Sequence, residues 1–320
     1  MKENEKNNPK ISIVIPVKDE EANLPILYEK IADVCKHDLQ NSEIIFVNDG
    51  SSDNTQSVVE ELRLKDNRIK IAQLRRNFGQ TAATSAGFDI ARGEIIITMD
   101  ADLQNDPADI PRLYNKLNEG YDIVSGWRKD RKDKFITRRL PSIAANKIIS
   151  KLTGVHLHDY GCTLKAYRKE ALDGIHLYGD MHRFIPIFPT TQGFKVTEIE
   201  VTHHPRRFGN SKYGISRILK VLIDIITVQF FVKFITKPMR LFGTFGIFFI
   251  GSGIAISIYM AFLKLFRGIS IGDRPLLLLG ILLIIAGIQI VSLGILGEVI
   301  SRIYFESQNK KTYSIKKVLK

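Results

Sequence analysis

Two long runs of uncharged residues near the end of the chain constrain its architecture more than any other feature. Leu241 to Leu263 and Pro275 to Gly297 each hold 23 consecutive residues without a charged side chain. At about 1.5 Å per residue, each run spans about 35 Å as a helix, enough to cross a hydrocarbon core of about 30 Å. The sequence therefore predicts two transmembrane helices, joined as a hairpin by the short linker 264–274. Glycine recurs in both runs, which either permits close helix contact or reflects the usual glycine content of membrane helices.

The basic residues are concentrated around this hairpin. The chain carries 46 basic and 34 acidic residues, and residues 201–320 hold 17 of the basic but only 4 of the acidic ones. More basic residues flank the hairpin on its outer sides than occupy its loop, so both flanks are expected to be cytosolic. The first ten residues lack the apolar segment of a signal peptide. We therefore expect a multi-pass protein of the plasma (inner) membrane, with its N-terminal domain and both termini in the cytosol.

Four regions follow from these patterns: a cytosolic domain (1–215), an interfacial region (216–238), the two membrane helices (239–299) and a basic cytosolic tail (300–320). Residues 218–235 are apolar with interspersed charges, which is typical of an amphipathic helix on the membrane surface. A buried helix of the soluble domain is the alternative for this segment. The two cysteines, Cys35 and Cys162, are too few for a disulfide framework or a zinc site.

Short apolar runs alternate with helical patterns through the first hundred residues. Strands are predicted at Lys10 to Val17, Ser42 to Val47, Ile69 to Leu74 and Glu94 to Met99, and helices at Glu21 to Cys35, Thr55 to Leu64 and Thr81 to Ala91. Near-continuous apolar strands separated by helices indicate an α/β domain with a mostly parallel sheet covered on both faces. Neither a Gly-x-Gly-x-x-Gly turn nor a phosphate-binding loop follows the first strand, which excludes the common dinucleotide and P-loop proteins.

Polar clusters follow three of these strands, where ligands bind in such sheets. They are Lys18-Asp19-Glu20, Asn48-Asp49-Gly50 and Asp100-Ala101-Asp102. Two carboxylates two residues apart provide the oxygen ligands that Mg²⁺ or Mn²⁺ prefers, commonly together with substrate phosphates. We therefore expect Asp100 and Asp102, with Gln104 on the same side, to hold a divalent cation.

Two further segments are rich in cations. The segment 206–213 (RRFGNSKY) combines flexible residues with cations and is either a mobile loop that closes over a diphosphate or a patch that touches anionic lipid. Residues 128–139 hold seven basic and two acidic side chains. This second segment lacks interleaved aromatic residues and its domain is nearly neutral, so nucleic-acid binding is not expected. A phosphate-binding patch for an anionic lipid head group suits it better.

In order along the chain, these segments resemble the family 2 glycosyltransferases that act on polyprenyl phosphates. The matching segments are IVIPVKDEEANL (13–24), VNDGSSDNT (47–55), RNFGQTAA (76–83), MDADLQ (99–104), SGWR (125–128), DYGCTLKAYR (159–168) and RRFGNSKY (206–213). The hairpin is similar to that of bactoprenol glucosyltransferases, and dolichol-phosphate mannose synthase is a related form. The resemblance implies a GT-A fold, which is Rossmann-like, a nucleotide-sugar donor, a polyprenyl phosphate acceptor and Mg²⁺ or Mn²⁺ as cofactor. The glycine-rich hairpin and the basic tail, in which KTYSIKK (311–317) could form a pairing strand, favour a homo-oligomer, and the resemblance suggests a tetramer as one form.

The resemblance also implies roles for individual residues. Those expected to bind the donor are Pro16, Lys18, Glu20, Val47, Asp49, Asp100, Ala101 and Gln104. Those expected to hold the acceptor phosphate are Arg128, Arg138 and Ser142. Asp102, Asp159, Arg128, Arg206 and Lys212 are the expected catalytic residues. Asp159 is interpreted either as a base or sugar-orienting group or as a structural residue.

The reaction implied is an inverting transfer of a hexose to undecaprenyl or dolichyl phosphate. UDP-glucose is the favoured donor, with GDP-mannose and UDP-N-acetylglucosamine as alternatives. A processive polysaccharide synthase is disfavoured, because Trp127 is not part of a Gln-x-x-Arg-Trp motif. A membrane-anchored assembly subunit without activity is the remaining alternative, and the intact Asp100–Asp102 pair disfavours it.

Overall fold

The computed structural model describes residues 9–129, 140–175, 177, 179, 181–205, 227, 230, 234, 237–270 and 274–307. Within these ranges, the side chains of residues 140–142, 144, 145, 302 and 304–307 are not described. The chain divides into two compact units, Met1–Val228 and Gln229–Lys320. Most of the predicted interfacial region and most of the basic tail lie outside the described residues.

The first unit is built on a seven-stranded sheet in the order β3-β2-β1-β4-β6-β5-β7. The strands are β1 (Ile11–Val17), β2 (Ser42–Asn48), β3 (Ile69–Gln73), β4 (Ile95–Thr98), β5 (Ile123–Trp127), β6 (Lys165–Arg168) and β7 (Val196–Glu200). Strand β6 runs antiparallel to both of its neighbours, and the other pairings are parallel. The predicted mostly parallel sheet is therefore confirmed, and β6 is the strand that makes it mixed.

Helices connect the strands as the alternating pattern predicts. They are α1 (Leu24–His37), α2 (Thr55–Lys65), α3 (Gln80–Ile90), α4 (Ile110–Asn118), α5 (Leu140–Thr153), α6 (Lys169–Leu172) and α7 (Ile187–Thr190), with 3₁₀ turns at Pro107–Asp109 and Met181–Arg183. The first helix begins three residues later than predicted, at Leu24, with Pro25 in its first turn. Proline is tolerated there because the first amide groups of a helix have no intrahelical acceptor.

Both faces of the central strands are buried, which explains their unbroken apolar sequences. One face of β1, with Ile13 and Ile15, packs with side chains of α1, α2 and α4. The opposite face, with Val14, packs with Ile45 and Ala83 and so against α3. With both faces covered, the ends of the strands are the part of the sheet left open to a ligand.

The second unit contains two long apolar helices that form a hairpin, Pro238–Arg267 and Pro275–Ser307. Both are long and apolar enough to cross a membrane. The helices approach through glycine: a Cβ atom on Gly253 would lie 2.5 Å from the carbonyl oxygen of Gly280, and one on Gly287 would lie 2.7 Å from that of Gly246. The structure therefore supports close packing as the reason for these glycines.

Candidate functional site

The loops after β1 and β2 are tied to each other at the carboxyl edge of the sheet. The Asp19 carboxylate accepts a hydrogen bond from the Ser52 amide at 2.7 Å, and the Asp19 amide donates to the Ser51 hydroxyl at 3.0 Å. The Glu21 carboxylate accepts from the Asn54 amide at 2.8 Å. Two of the three polar clusters predicted from the sequence are therefore adjacent.

Asp49 connects the second loop to the loop after β3. Its two carboxylate oxygens accept hydrogen bonds from the amides of Phe78 at 2.7 Å and Gly79 at 2.9 Å. Beside it, Gly50 has a φ of +63°, and a Cβ there would lie 2.5 Å from the main chain of Arg76. Only glycine combines this left-handed conformation with so close an approach. The Asp49 carboxylate therefore holds the main chain of the loop after β3 at the end of β2.

The paired carboxylates follow β4 directly. Asp102 is 7% exposed and accepts a hydrogen bond from the Gln104 amide at 3.1 Å, while Asp100 accepts one from the Gln80 side chain at 2.7 Å. Leu103 has a φ of +60°, an uncommon conformation for a residue with a side chain, and it makes the turn that follows the pair. Burial, and next the charge of Asp102, raise the pKa of Asp100 to about 6.

This carboxylate pair suits a divalent cation. Two carboxylates that oppose each other's ionisation are stabilised by a shared positive charge. Within the described part of the chain, no three His, Cys, Asp or Glu side chains form a metal-binding group. Two protein carboxylates with the remaining positions left to water or substrate phosphate are the usual environment of Mg²⁺, which is rarely held by an all-protein cage. The residues present therefore fit a cation that is held partly by a bound phosphate.

Arg128 and Asp159 form a nearly buried ion pair beside this site. The Arg128 Nε–Asp159 Oδ2 distance is 2.7 Å and the Arg128 Nη2–Asp159 Oδ1 distance is 3.0 Å, which is a bidentate contact. The side chains are 12% and 8% exposed. Burial alone would lower the pKa of Arg128, but the Asp159 charge outweighs it and raises that pKa. The resemblance assigned Arg128 to the acceptor phosphate and Asp159 to catalysis. In this structure the two side chains pair with each other.

A small cavity at the end of β4 contains residues to which the sequence assigned no role. Its lining includes the predicted residues Pro16 and Asp100, together with Gln80, Lys165 and His182. Lys165 is 2% exposed, and burial lowers its pKa to about 8. Burial also lowers the pKa of His182 to about 3, and its Nδ1 lies 2.7 Å from the Thr81 hydroxyl. Neither a single lysine nor a single histidine has a spacing from which a role could be predicted, and His182 also lies outside the segments matched by resemblance.

Arg128 and Asp159 also line a larger cavity, of about 460 Å³. The rings of Trp127 and His158 stack at its edge with centroids 4.3 Å apart. The other lining residues are Lys129, Ile143, Asn146, Lys147, Ser150, His156 and Leu157. Cationic and apolar side chains share this cavity, which gives it the chemistry of a site for an anionic amphiphile.

The other residues predicted to bind the donor differ in how far their side chains are exposed to solvent. Lys18 is exposed and Glu20 is half-buried at the end of β1. Val47 is completely buried in the core, and Ala101 is 3% exposed. The Val47 side chain therefore packs in the sheet, and only its main chain is near the loop that follows.

Several predicted residues cannot be placed. Arg138, Arg206 and Lys212 lie outside the described residues. Ser142 lies in the first turn of α5, but its side chain is not described. His204, just before the segment 206–213, donates its amide to the Gln104 carbonyl at 2.8 Å, so His204 is held beside the turn that follows Asp100.

Comparisons with known proteins agree with this geometry. A family model described as glycosyl transferase family 2 matches residues 12–175, and one described as the GtrB C-terminal hairpin matches residues 237–303. The first match contains the strand ends, the paired carboxylates and Lys165. The second match contains the glycine contacts of the hairpin.

Two curated relatives are similar over nearly the whole chain. Dodecaprenyl-phosphate galacturonate synthase of Rhizobium johnstonii is 40% identical over 312 residues, covering 96% of this chain and 92% of the relative. Undecaprenyl-phosphate 4-deoxy-4-formamido-L-arabinose transferase of Proteus mirabilis is 39% identical over 312 residues, covering 97% of this chain and 94% of the relative.

Among solved structures, the likeness extends to a more distant protein. Glucosyl-3-phosphoglycerate synthase from Mycobacterium tuberculosis, in complex with Mn²⁺, UDP-glucose and phosphoglyceric acid, is similar with a TM-score of 0.53 at 17% identity. The likeness covers 71% of this chain and 80% of that chain. At this identity it shows a shared fold.

Proposed function

Because this chain belongs to glycosyl transferase family 2 and is a glycosyltransferase, we propose that it transfers a hexose from a nucleotide sugar to a polyprenyl phosphate with inversion at the anomeric carbon. The observation that carries this proposal is the pair of carboxylates at the carboxyl edge of the sheet, half-buried Asp100 and buried Asp102. Both relatives carry a polyprenyl phosphate in their names and match this chain from end to end.

The donor half of the site explains how the leaving group departs. An oxygen of the acceptor phosphate attacks the anomeric carbon, the bond from that carbon to the donor diphosphate breaks, and its electron pair leaves with the diphosphate. A divalent cation held by Asp100 and Asp102, with Gln104 beside them, would stabilise the charge that develops there. We assign Arg206 and Lys212 to the same diphosphate, and Pro16, Lys18, Glu20, Val47, Asp49 and Ala101 to the walls of the donor pocket.

The acceptor half needs orientation more than proton removal. The second pKa of a phosphate monoester is about 6, so the acceptor is largely ionised at neutral pH. Holding it in line with the anomeric carbon is then the larger contribution to the rate. We assign this to Arg128, Arg138 and Ser142. Asp159 keeps the guanidinium group of Arg128 oriented through its bidentate contact.

The identity of the sugar is proposed first from the resemblance and then from the names of the relatives. UDP-glucose is the donor favoured by the resemblance of the hairpin to bactoprenol glucosyltransferases, and GDP-mannose and UDP-N-acetylglucosamine are alternatives. The names of the relatives add galacturonate and 4-deoxy-4-formamido-L-arabinose as sugars that family members of this length carry. These two sugars therefore belong in any test of the donor.

We also propose that the hairpin anchors the enzyme in the plasma (inner) membrane, with both termini in the cytosol. We further propose that the protein forms a homo-oligomer, with a tetramer as one form. Two apolar helices support the anchoring. The excess of basic residues outside the hairpin supports the orientation. Mass photometry in nanodiscs measures the number of subunits.

The reaction is tested with purified protein in detergent, Mg²⁺ or Mn²⁺, undecaprenyl phosphate and a panel of radiolabelled donors. The panel contains UDP-glucose, UDP-N-acetylglucosamine, GDP-mannose, UDP-galacturonate and UDP-4-deoxy-4-formamido-L-arabinose. We expect label in the lipid phase with one donor, none with Asp102→Asn, and wild-type activity with Asp173→Asn, which changes an exposed carboxylate. No lipid label from any donor would favour the inactive assembly subunit instead.

A further inference from the structure

Lys165 is a buried lysine without a carboxylate partner among the described residues. It is the first residue of β6, and its side chain is 2% exposed. Its Nζ donates to the main-chain carbonyls of Tyr160 at 3.1 Å and Cys162 at 2.5 Å. Removing an ammonium group from water is costly, and an apolar side chain of similar length would avoid that cost. Packing alone therefore does not account for a lysine at this position.

The two carbonyls belong to the turn from Asp159 to Thr163, which contacts both halves of the proposed site. At its start, the Asp159 carboxylate pairs with Arg128. At its end, the Thr163 hydroxyl accepts a hydrogen bond from the Asn105 side chain at 3.0 Å, and Thr163 lines the small cavity together with Asp100. A shift of this turn would therefore move groups next to the donor carboxylates and next to the acceptor arginine together.

The direction of β6 brings Lys165 to this place. Lys165 pairs with Thr98, the last residue of β4, because β6 runs antiparallel to β4. Its side chain then lines the small cavity with Asp100 and His182. A parallel strand would present its last residue at this edge, and the turn before it would lie at the opposite edge of the sheet.

We propose that Lys165 is a positioning residue, whose ammonium group fixes the carbonyls of Tyr160 and Cys162 and so holds the turn that carries Asp159, the partner of Arg128, and Thr163, which lines the small cavity with Asp100. The inference rests on the proposed transfer reaction. It adds to that reaction a residue that touches neither substrate but sets the geometry of groups that do. Because an arginine side chain also donates to two carbonyls, Lys165→Arg should preserve the function.

The test compares Lys165→Met, Lys165→Arg and a control, Lys169→Met, in the full-length protein. Lys169 is exposed at the other end of β6, and its Nζ also donates to a main-chain carbonyl, that of Ala91 at 2.8 Å. Three quantities are measured: the unfolding temperature in EDTA, hydrogen exchange of the amides from Asp159 to Thr163, and kcat and KM for the donor.

For Lys165→Met we expect an unfolding temperature at or above that of the wild type, together with faster amide exchange in the turn. We expect kcat to fall about 10- to 100-fold, as misplacement of reacting groups by about 1 Å would cause, with the donor KM changed less than about twofold. Lys165→Arg should restore kcat and amide protection, and Lys169→Met should match the wild type in all three measurements.

Two results would overturn the inference. One is a Lys165→Met protein that does not fold, or that loses activity only in proportion to its folded fraction, since the lysine would then be structural. The other is unchanged amide exchange and kcat. If the wild-type protein transfers no sugar, the proposed function fails, and hydrogen exchange, which needs no substrate, still decides whether Lys165 holds the turn.

Discussion

The two carboxylates of the proposed donor site, Asp100 and Asp102, lie two residues apart in the chain. Asp100 and Asp102 follow a completely buried strand, and burial, followed by the charge of Asp102, raises the pKa of Asp100. The folded protein therefore binds a proton at Asp100 more tightly than the unfolded chain does. From this group the stability of the metal-free protein is greatest at low pH and declines as the pH rises from about 4 to about 6.

Asp100→Asn should remove this penalty. In EDTA at pH 7 we expect the variant to unfold at a higher temperature than the wild type, and the difference should shrink as the pH falls below about 4, where Asp100 becomes protonated in both states. Added Mn²⁺ should raise the unfolding temperature of the wild type only. Differential scanning calorimetry across this pH range measures both effects. Equal unfolding temperatures at pH 7 would show that the ionised Asp100 carboxylate does not destabilise the metal-free protein.

A second prediction concerns the Arg128–Asp159 pair. Asp159→Ala leaves a nearly buried guanidinium group without its counter-charge, so we expect a loss of about 3 kcal/mol in the free energy of unfolding. Glu200→Ala is the matched control. It breaks the exposed Lys129–Glu200 pair, whose atoms lie 2.6 Å apart, and should change stability by less than about 1 kcal/mol.

The double variant Arg128→Met with Asp159→Ala separates the pair from the individual side chains. It should be more stable than Asp159→Ala alone, because no uncompensated charge remains. Denaturant titration of the four proteins in the cycle gives the coupling free energy. Additive effects of the two substitutions would show that the ion pair does not stabilise the fold.

The sequence could predict Asp100 and Asp102 because their spacing and their place after a β-rich run carry information locally. It could not predict that Arg128 would pair with Asp159, 31 positions away, or that Lys165 would be buried. Those facts depend on which strands become neighbours, and nothing in the local pattern of β5 or β6 specifies that. His182 was not found either, since a single histidine in an irregular segment has no periodicity to interpret.

At the scale of elements, the four strands and three helices predicted in the first hundred residues lie within a few residues of their observed bounds, but β6 and its reversed direction were not predicted. The four residues of β6, KAYR, are too few to show whether a strand runs parallel or antiparallel. Strand pairing is decided by the whole sheet, whereas hydrophobic pattern is decided by each segment. The hairpin, in contrast, was predictable, because both helices are set by length and apolar composition alone.

The glycines of the hairpin allow a third prediction. Gly253→Val should weaken helix contact, because its Cβ would lie 2.5 Å from a main-chain oxygen that cannot move aside easily. Gly251→Val is the matched control, since a Cβ at Gly251 meets nothing within 4 Å. We expect Gly253→Val to lower clearly the midpoint temperature of heat-induced aggregation in detergent. Gly251→Val should leave this midpoint temperature unchanged. Equal midpoints would mean that close packing of these helices does not limit stability.

At the scale of the whole molecule, charge and hydrophobicity divide the protein between two environments. Residues 1–200 are nearly neutral, whereas the 120 residues after them carry 17 basic and 4 acidic side chains around two apolar helices. The first part holds the described residues of the proposed site, and the second holds the residues suited to lipid. Substrates of opposite solubility can then be served by one chain.

Deleting residues 236–320 tests this division. We expect the remaining chain to bind nucleotide and to glycosylate a short, water-soluble prenyl phosphate, but to transfer poorly to undecaprenyl phosphate in vesicles, because it no longer concentrates at the membrane. The ratio of the two rates, measured with the same labelled donor, is the decisive quantity. An unchanged ratio would make the hairpin dispensable for access to the lipid.

The reciprocal bonds between the loops after β1 and β2 have a consequence for the thermodynamics of donor binding. Asp19, Ser52, Glu21 and Asn54 already hold each other in place in the protein without ligand. In the proposed donor pocket, a nucleoside between these loops would therefore meet walls that do not need to be ordered first. Its association in this part of the pocket should carry a small entropic penalty and a rate set mainly by diffusion, so that discrimination between bases depends on fit rather than on closure.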